Sequence, residues 1–193
     1  MDSKAPGRPF DHSITDALLQ AAERAMVAEG FSALTVDRLV KEVGTTRPAF
    51  YRRYDGLPYL IFDVLKRKFN SEDFATSGSL RTDFLKLQRE EVAMFSGPLL
   101  RNSLPGLLET VRTNPEIAEL YQKQFIEPRR IHVRQAIDAA VDRGEIPKPK
   151  ASLGFICDLL LGPVMARALL PGIGPLDDQL ARDTAQVALS ELS

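Results

Sequence analysis

Apolar side chains return every three or four residues through nearly every long segment of this chain, and no turn-bounded stretch alternates strictly between apolar and polar residues. A return of three to four keeps one stripe of a helix against a core, whereas a half-buried strand needs a return of two. The expected fold class is therefore all-α. Ile14, Leu18, Ala21, Ala25 and Met26 form the first stripe, with Ser13 placed as its N-cap and Gly30 as its stop. Val36, Leu39, Val40 and Val43 form a second, between Thr35 and Gly44. A third, short helix is predicted from Thr45 or Thr46 to about Arg53, and a fourth from Pro58 to Phe69.

The polar string "NSEDFATSGS" then reads as a linker, residues 70–79. Helices are predicted again over Leu80–Ser96 and over Leu99–Arg112, the latter interrupted at Pro105-Gly106. A long run from Asn114-Pro115 to about Arg143 must kink or break at Pro128, which has no N–H for the Gln124 carbonyl. After the loop "RGEIPKPK" come Ala151–Leu170 and Asp177–Leu192. About nine helices result. They divide into a flexible arm (1–9), an N-terminal three-helix helix-turn-helix domain (10–69), the linker, and a C-terminal helical bundle (80–193).

With 193 residues, 44 % of them apolar, the chain can bury one sizeable core. Its single cysteine, Cys157, gives no disulfide framework and suits a reducing compartment. "MDSKAPGRPFDHS" has no apolar run of the kind a signal peptide or anchor needs, and Leu153–Leu170 carries Asp158, Arg167 and Gly162-Pro163. A cytoplasmic protein without a membrane partner is expected.

The net charge is −1, and residues 1–70 hold 11 Lys/Arg against 9 Asp/Glu. Yet Arg38, Lys41, Arg47, Arg52 and Arg53 crowd into one short stretch against Glu42 alone, around the turn "VGTT". Two short helices joined by a glycine turn match the helix-turn-helix plan. Gly44 supplies the left-handed residue, Thr45 and Thr46 can cap the next helix, and Pro48 falls in its first turn. Entering a major groove, that helix would offer Arg47 to a guanine edge, Pro48 and Ala49 to a thymine methyl, and Tyr51 and Arg53 to phosphates. The candidate DNA-contacting set is Thr35, Thr46, Arg47, Pro48, Ala49, Tyr51, Arg52 and Arg53, within Thr35–Tyr54. Upstream, Gly-Arg-Pro around Arg8 is either a minor-groove arm or a disordered tail.

"LTVDRLVKEVGTTRPAFYRRYDGLPYL", preceded by "AAERAMVAEGFSA", resembles the DNA-binding domain of the TetR/AcrR family of bacterial repressors over about residues 10–69. "GTTRPAFYRRY" is similar to the family's recognition-helix signature, commonly G-V-S-x-x-T-L/F-Y-x-H/Y-F. "FIEPRR…AVDRGEIP…DLLLGPVMARALL…PLDD" resembles one subgroup of its C-terminal domains, with an RGE-type loop and an LLGP helix. Two positions depart from the family pattern. Leu57 stands where a phosphate-touching lysine is common, though backbone N–H groups at that helix terminus can still meet phosphate. Thr45 replaces an apolar residue after the turn glycine. The resemblance implies a double-stranded DNA operator, a homodimer, an unidentified small-molecule effector and no cofactor.

A single helix-turn-helix reads few base pairs, so two copies on a palindrome are expected. The helix Leu153–Leu170 is apolar on nearly all sides, and with the last helix it can build half of an intermolecular four-helix bundle. Ile156, Leu160, Val164, Leu180 and Val187 are the candidate dimer contacts. Leu87, Met94, Phe95, Leu104, Leu107, Phe125 and His132 are candidates for the wall of a ligand pocket, although each also fits an ordinary core. Catalysis finds no support: His12 and His132 lie far apart, Cys157 has no nearby metal-ligand partner, and no G-x-S-x-G, Walker A or G-x-G-x-x-G pattern occurs. The expected function is a ligand-released DNA-binding repressor. The alternative is a helical ligand-binding or protein-interaction module that has lost its operator.

Overall fold

The computed structural model describes residues 12–69, 74–170 and 172–192, so Arg8, the arm and the first part of the linker lie outside it. The helices are α1 His12–Glu29, α2 Val36–Val43, α3 Arg47–Tyr51, α4 Leu57–Phe69, α5 Leu80–Ser96, α6 Pro98–Thr113, α7 Pro115–Tyr121, α8 Glu127–Asp142, α9 Leu153–Leu169 and α10 Asp178–Ser190. A 3₁₀ turn, Phe31–Ala33, follows α1, and a π-helical turn, Gln122–Ile126, joins α7 to α8 without a break. Counting that joined pair as one rod, the described residues form nine rods and no strand. None of the described helices is long and apolar enough to cross a membrane.

The prolines act locally, as their surroundings dictate. Pro128 has the π-turn immediately before it, and this wider turn absorbs the missing Pro128 N–H without ending the rod. Pro105, by contrast, does not interrupt α6, contrary to expectation. It is exposed, as is Arg101, whose carbonyl loses its intrahelical donor, so solvent can satisfy that oxygen. The third helix is also shorter than the sequence suggests. It closes at Tyr51, leaving Arg52 and Arg53 in the turn beyond.

One apolar core runs from the N-terminal head (α1–α4) into the body. Leu18, Met26, Phe50, Leu60 and Phe62 pack in the same cluster as Phe95, Leu100, Leu104 and Leu107. The joint between head and body is tight at two glycines. Gly30 adopts φ 82° and ψ −176°, and a β-carbon there would meet the Asn102 backbone oxygen at 2.5 Å. A β-carbon on Gly106 would meet the Phe31 ring at 2.9 Å. Across the same joint the Asn102 side-chain amide donates to the Val27 carbonyl at 2.6 Å. A second cluster, with Leu80, Phe84, Ala136, Ile156, Cys157 and Ala188, closes the far end of the body. There the "RGE" loop has a visible task. Glu145 pairs with Arg143 at 2.6 Å and accepts from the Leu80 backbone N–H at 2.8 Å, capping α5 from another element.

Candidate nucleic-acid interface and ligand cavity

The turn between α2 and α3 is built by its own small residues. Thr35 opens α2 by accepting from the Arg38 N–H at 3.2 Å. Gly44, at φ 73°, ends it, and the Thr45 N–H closes back on the Val40 carbonyl at 2.8 Å. Thr46 then caps α3 by accepting from the Ala49 N–H at 3.3 Å, with Pro48 in the first turn. Phe50 is fully buried and meets Tyr51 edge-on, with ring centroids 5.3 Å apart. Its burial fixes the rotation of the short helix and turns Arg47, Pro48 and Tyr51 outward.

The eight predicted contact residues therefore separate. Thr46 is exposed at the cap of α3, Arg47, Pro48, Tyr51 and Arg52 are exposed on or just after it, and Thr35 is exposed at the cap of α2. Arg47 pairs with Asp37 at 3.2 Å across the turn, a solvent-screened pair that phosphate or a base edge can displace. The Arg52 side chain makes no hydrogen bond or ion pair among the described residues. Ala49 is corrected: it is 6 % exposed, three residues after the cap and on the same side as Phe50, so its methyl cannot reach a thymine. Arg53 is corrected as well. Its Nε donates to Thr15 Oγ1 at 3.1 Å and its Nη1 to the Ala49 carbonyl at 2.8 Å, bracing α3 against α1 rather than reaching out. Leu57, in the lysine position, packs against the core.

Below the head, the end of α4, α5, the π-turn with α8, and α9 surround a cavity of about 310 Å³. Of the seven predicted wall residues, Leu87, Met94, Phe125 and His132 line it. Phe95, Leu104 and Leu107 do not. They are at most 1 % exposed in the core that joins the body to the head, where α6 packs on α1 and on α5, and not against the cavity. The polar wall residues were not foreseen: Gln88, Glu91 and Arg129. The signal was present, since Gln88 and Glu91 fall in the buried register of α5, where any core-facing residue should be apolar.

Arg129 is the centre of this polar wall. Its Nε lies 3.3 Å from Glu91, Nη1 donates to the Phe125 carbonyl, Nη2 points at the Met94 sulfur at 2.8 Å, and the guanidinium sits 3.8 Å above the Phe125 ring. Burial pushes the Glu91 carboxyl up, against the pull of Arg129. Phe125 in turn stacks on Tyr121 at 5.3 Å, and Tyr121 faces Phe62 of α4 at 6.1 Å. An aromatic ladder thus leads from the cavity wall to the last helix of the head. Among the described residues no group of three His, Cys, Asp or Glu can hold a metal.

The predicted dimer contacts need correction too. Ile156, Leu160, Val164 and Leu180 are at most 3 % exposed inside the protomer, and only Val187, at 49 %, faces solvent. A helix apolar on every side gives the sequence no basis for choosing its inner face, and the inner one holds these four. The outward stripe of α9 is Phe155, Leu159, Gly162, Pro163 and Ala166, continued by Leu170.

Residues 18–56 match the model described as bacterial regulatory proteins, tetR family, and residues 74–188 match tetracyclin repressor-like, C-terminal domain. The chain is 25 % identical over 184 residues to an uncharacterised helix-turn-helix-type transcriptional regulator, YdeS of Bacillus subtilis, covering 95 % of this chain and 91 % of that one. It is 26 % identical over 180 residues to another, Rv1556 of Mycobacterium tuberculosis, covering 91 % and 86 %. Its fold is similar to that of a TetR transcription regulator from Haloarcula marismortui, with TM-score 0.71 at 18 % identity over 94 % of this chain and 97 % of that one.

Proposed function

The chain belongs to the TetR family of transcriptional regulators, with a helix-turn-helix for DNA, and we propose that it is a repressor released by a small molecule. Two copies join through the outward stripe of α9 with Val187 of α10, an apolar surface that a lone protomer leaves in water. Each copy lays α3 in a major groove of a palindromic operator. Arg47 reads a base edge, Pro48 makes apolar contact beside it, and Tyr51 and Arg52 meet phosphates. Bound across a promoter in the cytoplasm, the dimer blocks transcription.

The observation that carries this reading is the division of α3. Ala49 and Phe50 are locked into the core, while Arg47, Pro48 and Tyr51 are left facing solvent, and Arg52 just beyond is unengaged. An ordinary solvent face needs charge, but it does not need the exposed Pro48 and Tyr51 that stand here beside Arg47. Release follows from the cavity. Its wall includes the π-turn, whose Phe125 stacks on Tyr121 of α7 and through it faces Phe62 of α4, while α6 meets Gly30 just beyond α1. A ligand that favours one packing of these elements shifts the tilt of the two heads away from the spacing that fits DNA.

Selection of the full-length protein against a pool of random duplexes tests the reading. It should enrich an inverted repeat whose half-sites are centred about one helical turn, roughly 34–36 Å, apart. Enrichment of a single unrepeated site, or none, would count against a two-headed DNA reader.

A further inference from the structure

On the side of the cavity formed by α5 and α8, two donors meet a weak acceptor or none. Gln88, Glu91 and Met94 stand one helical turn apart on α5, so they share one edge of the cavity. Gln88 is 4 % exposed, and its side-chain oxygen is taken by the Thr184 hydroxyl at 2.8 Å. The Gln88 amide N–H groups have no acceptor among the described residues. Arg129 faces the same space with one Nη opposed only by the Met94 sulfur, a weak acceptor. The one strong side-chain acceptor beside them, the Glu91 carboxylate, is already engaged by Arg129. Donors that line a cavity without a strong protein acceptor are met best by a molecule that brings acceptors, so this wall favours one.

We propose that the cavity binds a small apolar molecule bearing a carboxylate, whose oxygens accept from the Gln88 amide and from the Arg129 Nη now opposed by Met94. Its hydrocarbon part lies against Leu65, Phe69, Leu87 and Leu161. This rests on the reading of the chain as a ligand-released regulator. At about 30 Å³ per water, a cavity of 310 Å³ holds roughly ten waters, a space suited to a phenyl ring with a short acid chain. A cationic molecule is disfavoured because it would compete with Arg129 for Glu91 and leave the Gln88 donors unmet.

Binding is coupled to a proton. The incoming carboxylate takes Arg129 from Glu91, whose carboxyl burial already raises, and Glu91 then takes up a proton from solvent. The other charged or titratable groups around the cavity are Lys66 on α4, Glu90 on α5, Arg130 and His132 on α8, and Cys157 and Asp158 on α9. Of the cations, Arg129 is the one in ion-pair contact with Glu91.

Calorimetric titration of the full-length protein with 3-phenylpropanoate, 3-phenylpropanamide and 3-phenylpropylamine tests this. The carboxylate should bind about tenfold or more tighter than the other two, and its affinity should fall by up to about tenfold per unit as pH rises from about 6 to 8. Gln88→Met should cost roughly tenfold, with circular dichroism checking that the fold survives. Glu91→Gln, which stands in for the protonated acid, should hold the parent's low-pH affinity across the range, exceeding the parent near pH 8 and showing no pH dependence. Equal or tighter binding of the amide or amine, or no binding of any of the three, overturns the inference. The same titration on a selected duplex separates the two levels. A carboxylate that binds without loosening DNA supports this site while refuting ligand release, whereas an amine that binds and loosens DNA refutes the carboxylate and supports release.

Discussion

Two glycines with positive φ should respond very differently to the same substitution. Gly44 lies in the left-handed α region, φ 73° and ψ 32°, and nothing stands within 4 Å of a β-carbon built there. Gly44→Ala therefore carries only the backbone cost, about 1–2 kcal/mol, and Gly44→Asn should recover part of it, since asparagine visits that region. Gly30 lies at φ 82° and ψ −176°, a region essentially closed to other residues. Its β-carbon would also sit 2.5 Å from the Asn102 backbone oxygen of α6, which cannot swing aside as a flexible side chain would. Adding about 1–3 kcal/mol for overpacking to about 1–3 kcal/mol for the backbone puts Gly30→Ala at roughly 2–6 kcal/mol, and asparagine should not rescue it. Urea and thermal unfolding, both followed by circular dichroism, read both variants. For a chain of this size Gly44→Ala should lower the midpoint temperature by roughly 2–8 °C. Equal losses at the two sites, or rescue of Gly30 by asparagine, would refute the claim that head and body are joined by direct backbone contact.

Two glutamates give opposite pH responses. Glu145, held below the usual carboxylate range by Arg143 and the Leu80 N–H, contributes stability above its ordinary value that is lost as pH falls through its folded value. Urea midpoints of Glu145→Gln should thus fall short of the parent near pH 7 and converge with it in acid. Glu91 is raised by burial, so the stability it favours is full below its ordinary value and lost as pH climbs toward the folded one. Glu91→Gln should match or exceed the parent near pH 7 and converge with it below about pH 4. Cys157 lines the cavity with its thiol pushed up by burial, so alkylation by iodoacetamide should be slow at neutral pH, faster in alkali, and slower again when 3-phenylpropanoate is bound. Arg53→Ala should destabilise the head in urea unfolding, whereas Arg52→Ala should leave stability unchanged and weaken DNA binding, as anisotropy on a selected duplex would read.

Much of this was legible beforehand, for physical reasons. Thr35, Gly44, Thr46 and Pro48 act within four residues of their own positions, so the turn and both caps followed from local rules. Side-chain direction was not local. Ala49 and Arg53 were placed outward until Phe50 fixed the rotation of α3, and α3 proved too short to show a period of its own. The same difficulty placed Ile156, Leu160, Val164 and Leu180 on the dimer surface, since a helix apolar all round has no readable inner face. Pro128 announced a disturbance that became a π-turn, while Pro105 announced one that exposure made harmless. The polar cavity wall was missed because the candidates were chosen for apolar size and only His132 for polarity, so Gln88, Glu91 and Arg129 received no reading.

The salt dependence of binding to a selected duplex tests the central claim most directly. If α3 enters the groove and Arg52 of each head meets a phosphate while Arg47 adds its charge beside it, about four cationic contacts in all, affinity should fall on the order of a hundredfold between about 50 and 200 mM salt. Arg52→Ala should flatten that slope, by about one unit for each head. Arg47→Ala should cost about 1–3 kcal/mol per head and relax preference at one base position in each half-site. Binding unchanged across that salt range, with both variants indistinguishable from the parent, would contradict it.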